Sequence, residues 1–218
     1  MSLTTSLWRL STNEYVIFLA MKRFAITGGI GSGKSFVCAL FSKMGIPVYL
    51  SDARTKALYQ SDRKLLASLA QVVGADVVKD GRLDKSLMAK RIFSNQELLL
   101  QVEALVHPAV VADFIKWADE QERLFAPPFV LMESAIVLEK PLVRASVEKV
   151  ITLTAPMDVR LARIIARDGV GEEEAQRRIA VQWDDSKREA LSHYIIVNDG
   201  VAPLLPQLER IVEAERQL

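Results

Sequence analysis

The segment Gly28-Gly29-Ile30-Gly31-Ser32-Gly33-Lys34-Ser35 carries the strongest chemical signal in the sequence. In the spacing Gly-x4-Gly-Lys-Ser, the glycines let successive backbone N–H groups turn inward around a phosphate. The lysine adds a mobile positive charge, and the serine hydroxyl is a ligand for Mg²⁺. A helix opening at this point adds the positive end of its dipole. The chemistry expected is binding of ATP with Mg²⁺. Gly29, Ile30, Gly31, Ser32, Gly33, Lys34, Ser35 and Phe36 would hold the nucleotide, Ser35 the metal, and Lys34 the phosphate that is transferred.

A phosphate site needs a partner for what it transfers, and several downstream residues suit that role. Asp52 follows the apolar run Ile46-Pro47-Val48-Tyr49-Leu50 by two residues, so it is expected at the same sheet edge as the phosphates, where an acceptor hydroxyl would sit. A free Asp, with a pKa near 4, cannot strip an alcohol early. It can orient the hydroxyl and take its proton late, and a base placed this way is worth roughly 10²–10⁴ in rate. The same spacing equally suits an N-cap for a helix beginning at Ala53 or Arg54. Glu133 ends the apolar run Phe129-Val130-Leu131-Met132, where nucleotide hydrolases often place an acid near Mg²⁺, usually Asp. Contact with the acceptor or a purely structural role are its other readings.

Arg160, Arg163 and Arg167 recur at helical spacing, and Arg177 and Arg178 follow across the Gly169–Gly171 turn. As a group they read as a lid whose guanidiniums, Arg163 and Arg167 foremost, stabilise the charge spread over a phosphoryl group in flight. Each alone also reads as part of a solvated helix face. His107 is assigned to the acceptor side, and neither it nor His193 has neighbours spaced for a metal site. Cys38 and Trp117 read as packing residues.

The elements that must position these groups alternate in type. An apolar run Lys22–Thr27 enters the glycine loop, and Phe36, Val37, Leu40, Phe41 and Met44 recur at helical spacing behind it, closed by Gly45. A second strand is expected at 46–50, a helix at about 54–73 and a turn at Asp80-Gly81. A helical block at 84–124 should be broken at Ser94-Asn95 and again at His107-Pro108. Strands at 129–132, 147–154 and 194–197 alternate with helices at about 156–167, from Glu172 onward, and at 201–215. Alternation of this kind predicts an α/β fold, a parallel sheet with helices on both faces and ligands at the carboxyl ends of its strands.

Composition bounds the rest. With 218 residues, half of them hydrophobic, the chain is long enough for one domain with an insertion, and Lys+Arg 28 against Asp+Glu 27 argues against a broad nucleic-acid surface. The one cysteine excludes a disulfide framework and points to a reducing cytoplasm. No apolar run approaches the roughly 20 residues of a membrane span, so no membrane partner is expected. Met21 directly precedes the first strand, so residues 1–20 are expected to be an upstream or non-native extension and residues 21–218 the functional domain.

Taken together, Thr27 through Ser35, Gly45-Ile46-Pro47-Val48 leading to Asp52, and Leu105-Val106-His107-Pro108 resemble the dephospho-coenzyme A kinase family. Arg163 to Gly169, Arg178-Ile179 with Gln182, and Asn198-Asp199-Gly200 extend the resemblance in order over residues 21–218. It implies a P-loop NTPase fold and transfer of the ATP γ-phosphate to the ribose 3′-hydroxyl of dephospho-coenzyme A. Asp52 matches the family's catalytic Asp, and Asn198 falls in the segment that approaches the adenine. Residues 80–126 would form the helical acceptor-binding insertion and 156–187 the lid, in a monomer or weak homo-oligomer. The family often has an Asp where this chain has Leu50, and a Thr where it has Phe36. A nucleoside-monophosphate kinase is the nearest alternative, but the long helical insert with His107-Pro108 argues against it. A nucleotide-binding switch would need the guanine-reading Asn-Lys-x-Asp, which the sequence lacks.

Overall fold

Lys22–Thr27 forms β1, and its residues Phe24 to Thr27 are buried without alternation, as expected of a parallel strand covered on both faces. The computed structural model describes residues 21–216, and the extension expected at 1–20 lies outside the described residues. After β1 come α1 (Lys34–Lys43), β2 (Val48–Leu50), α2 (Ser51–Ser61) and α3 (Arg63–Val73). A small hairpin, β3 (Val78–Lys79) and β4 (Arg82–Leu83), precedes α4 (Lys85–Phe93) and the 30-residue α5 (Gln96–Phe125). Then follow β5 (Phe129–Glu133), α6 (Pro141–Ala145), β6 (Lys149–Thr154), α7 (Met157–Asp168), α8 (Glu172–Ala180), α9 (Asp185–Ala190), β7 (Tyr194–Val197) and α10 (Leu204–Arg216).

The main sheet has the order β2-β5-β1-β6-β7, and all its pairings are parallel. The chain leaves β1 outward to β2 on one side and returns to β6 and β7 on the other. The order therefore reverses beside β1, where a crevice for ligands opens at the carboxyl ends of the strands. Alternate strand residues feed two cores. Ala25, Tyr49, Val130, Met132 and Val150 face the layer of α3 and α5. Phe24, Ile26, Phe129, Leu131 and Ile151 face α1 and α10, with the rings of Phe24 and Phe129 stacked 4.4 Å apart.

Three expectations change. The single helix at 54–73 is two helices, because Asp62 is extended and its carboxylate caps α3 by accepting from Lys64 N and Leu65 N, both at 3.0 Å. The Asp80-Gly81 turn has positive φ at both residues, 50° and 71°, the combination that closes a two-residue hairpin, so short strands flank it. The break expected at His107-Pro108 does not occur, and Pro108 lies inside α5. A proline there forfeits one helical hydrogen bond. Burial of Val102, Val106, Val110, Val111, Phe114 and Ala118 along one stripe carries the helix through. By length and composition α5 could cross a bilayer, but that stripe is committed to the core against α3 and α4.

One ion cluster pins the last helix to the sheet. The Glu215 side chain has no exposed surface and meets Lys22 Nζ at 2.8 Å and Lys149 Nζ at 2.6 Å, while the Tyr194 hydroxyl also donates to it. Burial pushes this carboxyl up, but the hydrogen bonds from Lys149, Lys22 and Tyr194 outweigh it and hold it at about 2. Glu215→Ala should cost about 3 kcal/mol, because two lysines lose their only shared counter-charge. Since the folded value is depressed, the contribution is complete above the ordinary 4.5 and is lost as pH falls toward 2. Urea midpoints of the parent and variant should therefore converge over that interval.

Candidate active site

The loop between β1 and α1 is shaped by its glycines. Gly33, the residue before α1, has φ 95° and ψ 24°, a left-handed conformation that strains any residue with a Cβ. Gly29 matters for a different reason, since a Cβ there would push the Arg160 guanidinium from its place under the loop. Among the described residues no acceptor meets the N–H groups of Gly31, Gly33, Lys34 or Ser35, whereas Phe36 N and Val37 N already bond Gly33 O and start the helix. Four convergent free N–H groups at a helix N-terminus make a ready anion cradle.

The loop is held from behind by three elements. Arg160 Nε of α7 donates to Ile30 O at 2.9 Å, and Ile30 N donates to Gln182 Oε1 at 2.8 Å. Arg163 Nη1 reaches Gly31 O and Ser32 O, both at 3.3 Å. Asn198, just after β7, donates from Nδ2 to Ser32 O at 2.7 Å, and its Oδ1 accepts from Arg163. Arg160 is buried and in turn held by Asp185, which also binds the buried Arg188.

A cavity of about 680 Å³ opens in front of the loop. Ile30, Gly31, Gly33, Lys34, Ser35 and Phe36 supply one wall, and Arg163 and Arg167 of α7 a second. Asp52 and Glu133 form the floor, and His107 enters from α5. Of the residues expected at the site, Gly29, Ser32 and Asn198 do not line this cavity. Ser32 and Asn198 are buried behind the loop.

Sheet register places the two acids. Glu133 is the last residue of β5, opposite Ile26 of β1 on one side and Leu50 of β2 on the other, so it stands between the loop and Asp52. Asp52 is not a helix cap. α2 begins at Ser51 with no side-chain capping bond, and Asp52 lies in its first turn. Its carboxylate accepts no hydrogen bond among the described residues, so it is open to a hydroxyl. Burial raises the Glu133 carboxyl above its ordinary range, Lys34 opposes this, and the Asp52 charge adds to it. Burial also lowers Lys34 below 10.5, with Glu133 acting the other way. Lys34 Nζ is parked on Gly28 O at 2.7 Å and Gly29 O at 3.3 Å. Burial lowers His107 too, next to the Lys140–Glu103 pair at 2.6 Å.

The arginines divide into three groups. Arg163 braces the loop, and Arg167 sits at the cavity rim with both arms on Asp168, at 2.7 and 2.9 Å. Arg177 and Arg178 pair with Glu174 within α8, and Arg178 also reaches Asp168 at 3.0 Å, the carboxylate that holds Arg167. The same region holds a cluster that sequence reading missed, in which Asp113 of α5 binds both Tyr49 and Arg54. Its signal was present: Val106, Val110, Asp113 and Trp117 share one helical stripe, and a carboxylate in such a stripe needs partners.

The residues present suit ATP with Mg²⁺. The cradle offers free N–H donors and Lys34 a cation. Among the described residues no group of three or more His, Cys, Asp or Glu could hold a metal by itself. Ser35 lines the same cavity and offers a hydroxyl of the kind that Mg²⁺ bound chiefly through substrate phosphates would use.

Comparison with known proteins gives a consistent result. A family model described as dephospho-CoA kinase matches residues 23–203. The dephospho-CoA kinase of Bacteroides fragilis strain YCH46 is 35% identical over 190 residues, covering 87% of this chain and 91% of that one. A crystal structure of TT1252 from Thermus thermophilus is similar at a TM-score of 0.74 with 31% identity, covering 89% of this chain and 97% of the other. A dephospho-CoA kinase from Campylobacter jejuni shares the fold at a TM-score of 0.60 and 19% identity, over 89% and 96% of the two chains. The parallel sheet flanked by helices is thus the P-loop NTPase fold that the glycine loop implied. The chain belongs to the dephospho-CoA kinase family.

Proposed function

We propose that the chain transfers the γ-phosphate of ATP to the ribose 3′-hydroxyl of dephospho-coenzyme A, giving coenzyme A and ADP in the last step of coenzyme A synthesis. The observation that carries this reading is an unbonded carboxylate, Asp52, facing the same cavity as a cradle of free N–H groups and Lys34. The cradle holds the donor phosphates. Asp52 accepts a hydrogen bond from the acceptor hydroxyl and aims its oxygen at the γ-phosphorus. As that oxygen bonds to phosphorus, the bond to the ADP oxygen breaks and the hydroxyl proton passes to the Asp52 carboxylate. Lys34 follows the phosphoryl group and balances its charge, and Arg163 and Arg167 add theirs from the lid. Ser35 would hold Mg²⁺, which when bound neutralises phosphate charge.

Glu133 and His107 are assigned to the acceptor, with residues 80–126 as its binding insertion and 156–187 as the lid. Asn198 serves ATP by fixing the loop from behind, beside the adenine end. The reading is of a cytoplasmic enzyme, monomeric or weakly self-associating, with small-molecule partners only. A coupled ADP-release assay with dephospho-coenzyme A, adenosine monophosphate or no acceptor tests it. Turnover should rise many-fold with dephospho-coenzyme A alone; equal rates in all three arms would overturn the acceptor assignment.

A further inference from the structure

We propose that Arg54 and Asp113 are positioning residues that tie the helix bearing Asp52 to the acceptor-side helix α5 and so set where Asp52 meets the acceptor. The inference rests on the reading of Asp52 as the base. The start of α2 is weakly held. That helix has no fully buried residue and opens without a side-chain cap, and the residues that pack it on the core, Leu58 and Tyr59, lie past its first turn. Asp52 sits in that turn, and its own carboxylate is bonded to nothing among the described residues. The pairing of Leu50 with Glu133 fixes where the helix starts, and its direction from there depends on contacts further along.

Two residues further on, Arg54 lays both arms on Asp113, Nε to Oδ2 and Nη2 to Oδ1, each at 2.8 Å. Paired parallel bonds of this kind fix direction as well as distance. Asp113 is itself anchored, because the Tyr49 hydroxyl donates to Oδ2 at 2.7 Å. Tyr49 is 1% exposed and wedged edge-on to Phe114 with its ring also against Trp117, so it cannot drift. The Arg54 guanidinium also lies 5.5 Å above the Tyr49 ring. The result is a strut from β2 through α5 to the first turns of α2. His107 lies six residues before Asp113 on the same rigid helix, about 9 Å along its axis. Base and acceptor-side residue are therefore registered on one element rather than on two independent ones.

The Arg54 side chain is 43% exposed, so losing it should leave the fold intact. Placement of a base is far more sensitive, and an error of about 1 Å costs on the order of 10²-fold in rate. Steady-state kinetics on Arg54→Ala should show kcat reduced about 10- to 100-fold with the KM for ATP almost unchanged. Asp113→Asn, which keeps shape but weakens the fork, should fall between that variant and the parent. The decisive comparison repeats Arg54→Ala in an Asp52→Asn background. With no base left to misplace, the further loss should be under about threefold.

A merely structural strut gives the same loss in both backgrounds, and that result overturns the proposal. An Arg54→Ala enzyme as fast as the parent, with Asp52→Asn impaired, overturns it while leaving Asp52 as base. An Asp52→Asn enzyme as fast as the parent removes both.

Discussion

Replacing Asp52 with Asn should lower kcat by about 10²–10⁴-fold while leaving the KM for ATP close to that of the parent. The two halves of this expectation have separate physical sources. Asn keeps the size of the side chain and can still accept a hydrogen bond, but it cannot take the proton. The step in which the acceptor oxygen bonds to phosphorus then loses its base. The proposed phosphate cradle consists of backbone N–H groups from Gly31, Gly33, Lys34 and Ser35, none of which bonds Asp52, so the substitution touches none of them. Nor should stability fall, because the Asp52 carboxylate makes no bond to lose among the described residues; removing its charge from beside Glu133 relieves repulsion instead. Rapid-quench or coupled assays, with a thermal melt on the same sample, separate these effects.

Lys34→Ala has the second large expected effect, a loss of about 10²–10³-fold in kcat together with weaker ATP binding. Lys34 Nζ rests on Gly28 O and Gly29 O, so it spans the loop and can swing from those carbonyls to a phosphate without moving the backbone. Lys34→Arg should not rescue it. A planar guanidinium, with its donors in a fixed fork, does not reproduce the point contact that a compact ammonium makes with both loop carbonyls. Burial lowers the lysine below its ordinary 10.5, so its charge is lost earlier on the alkaline side. The alkaline limb of kcat/KM should therefore fall at a lower pH than a free lysine would give, and that limb should be absent from the Lys34→Ala profile.

Much of this site was legible in the sequence because its parts are local. The glycine loop, the helix behind it and the Asp two residues past a strand depend on spacings of fewer than ten residues, which backbone geometry fixes directly. The strands came through well because parallel strands buried on both faces are short apolar runs, as in Phe129–Met132. What the sequence hid was tertiary. Asp62 splits a periodic stretch that reads as one helix, and Pro108 fails to split another because burial of its neighbours outweighs one lost hydrogen bond. Arg160 shares its spacing with Arg163 and Arg167, yet it is buried under the loop while Arg167 reaches the rim. Helical periodicity cannot distinguish the two, since the difference lies in what packs against each side of α7. The Tyr49–Asp113–Arg54 cluster joins residues about 60 apart and left only the stray carboxylate in an apolar stripe as its trace.

The position of the new phosphate tests the assigned reaction most directly. After incubation of the enzyme with ATP, Mg²⁺ and dephospho-coenzyme A, the ³¹P spectrum of the purified product should show one new phosphomonoester coupled to the ribose 3′ proton, in amount equal to the ADP formed. A phosphate on the 2′ position or on the pantetheine arm, or release of ADP with inorganic phosphate and unchanged acceptor, would contradict the assignment.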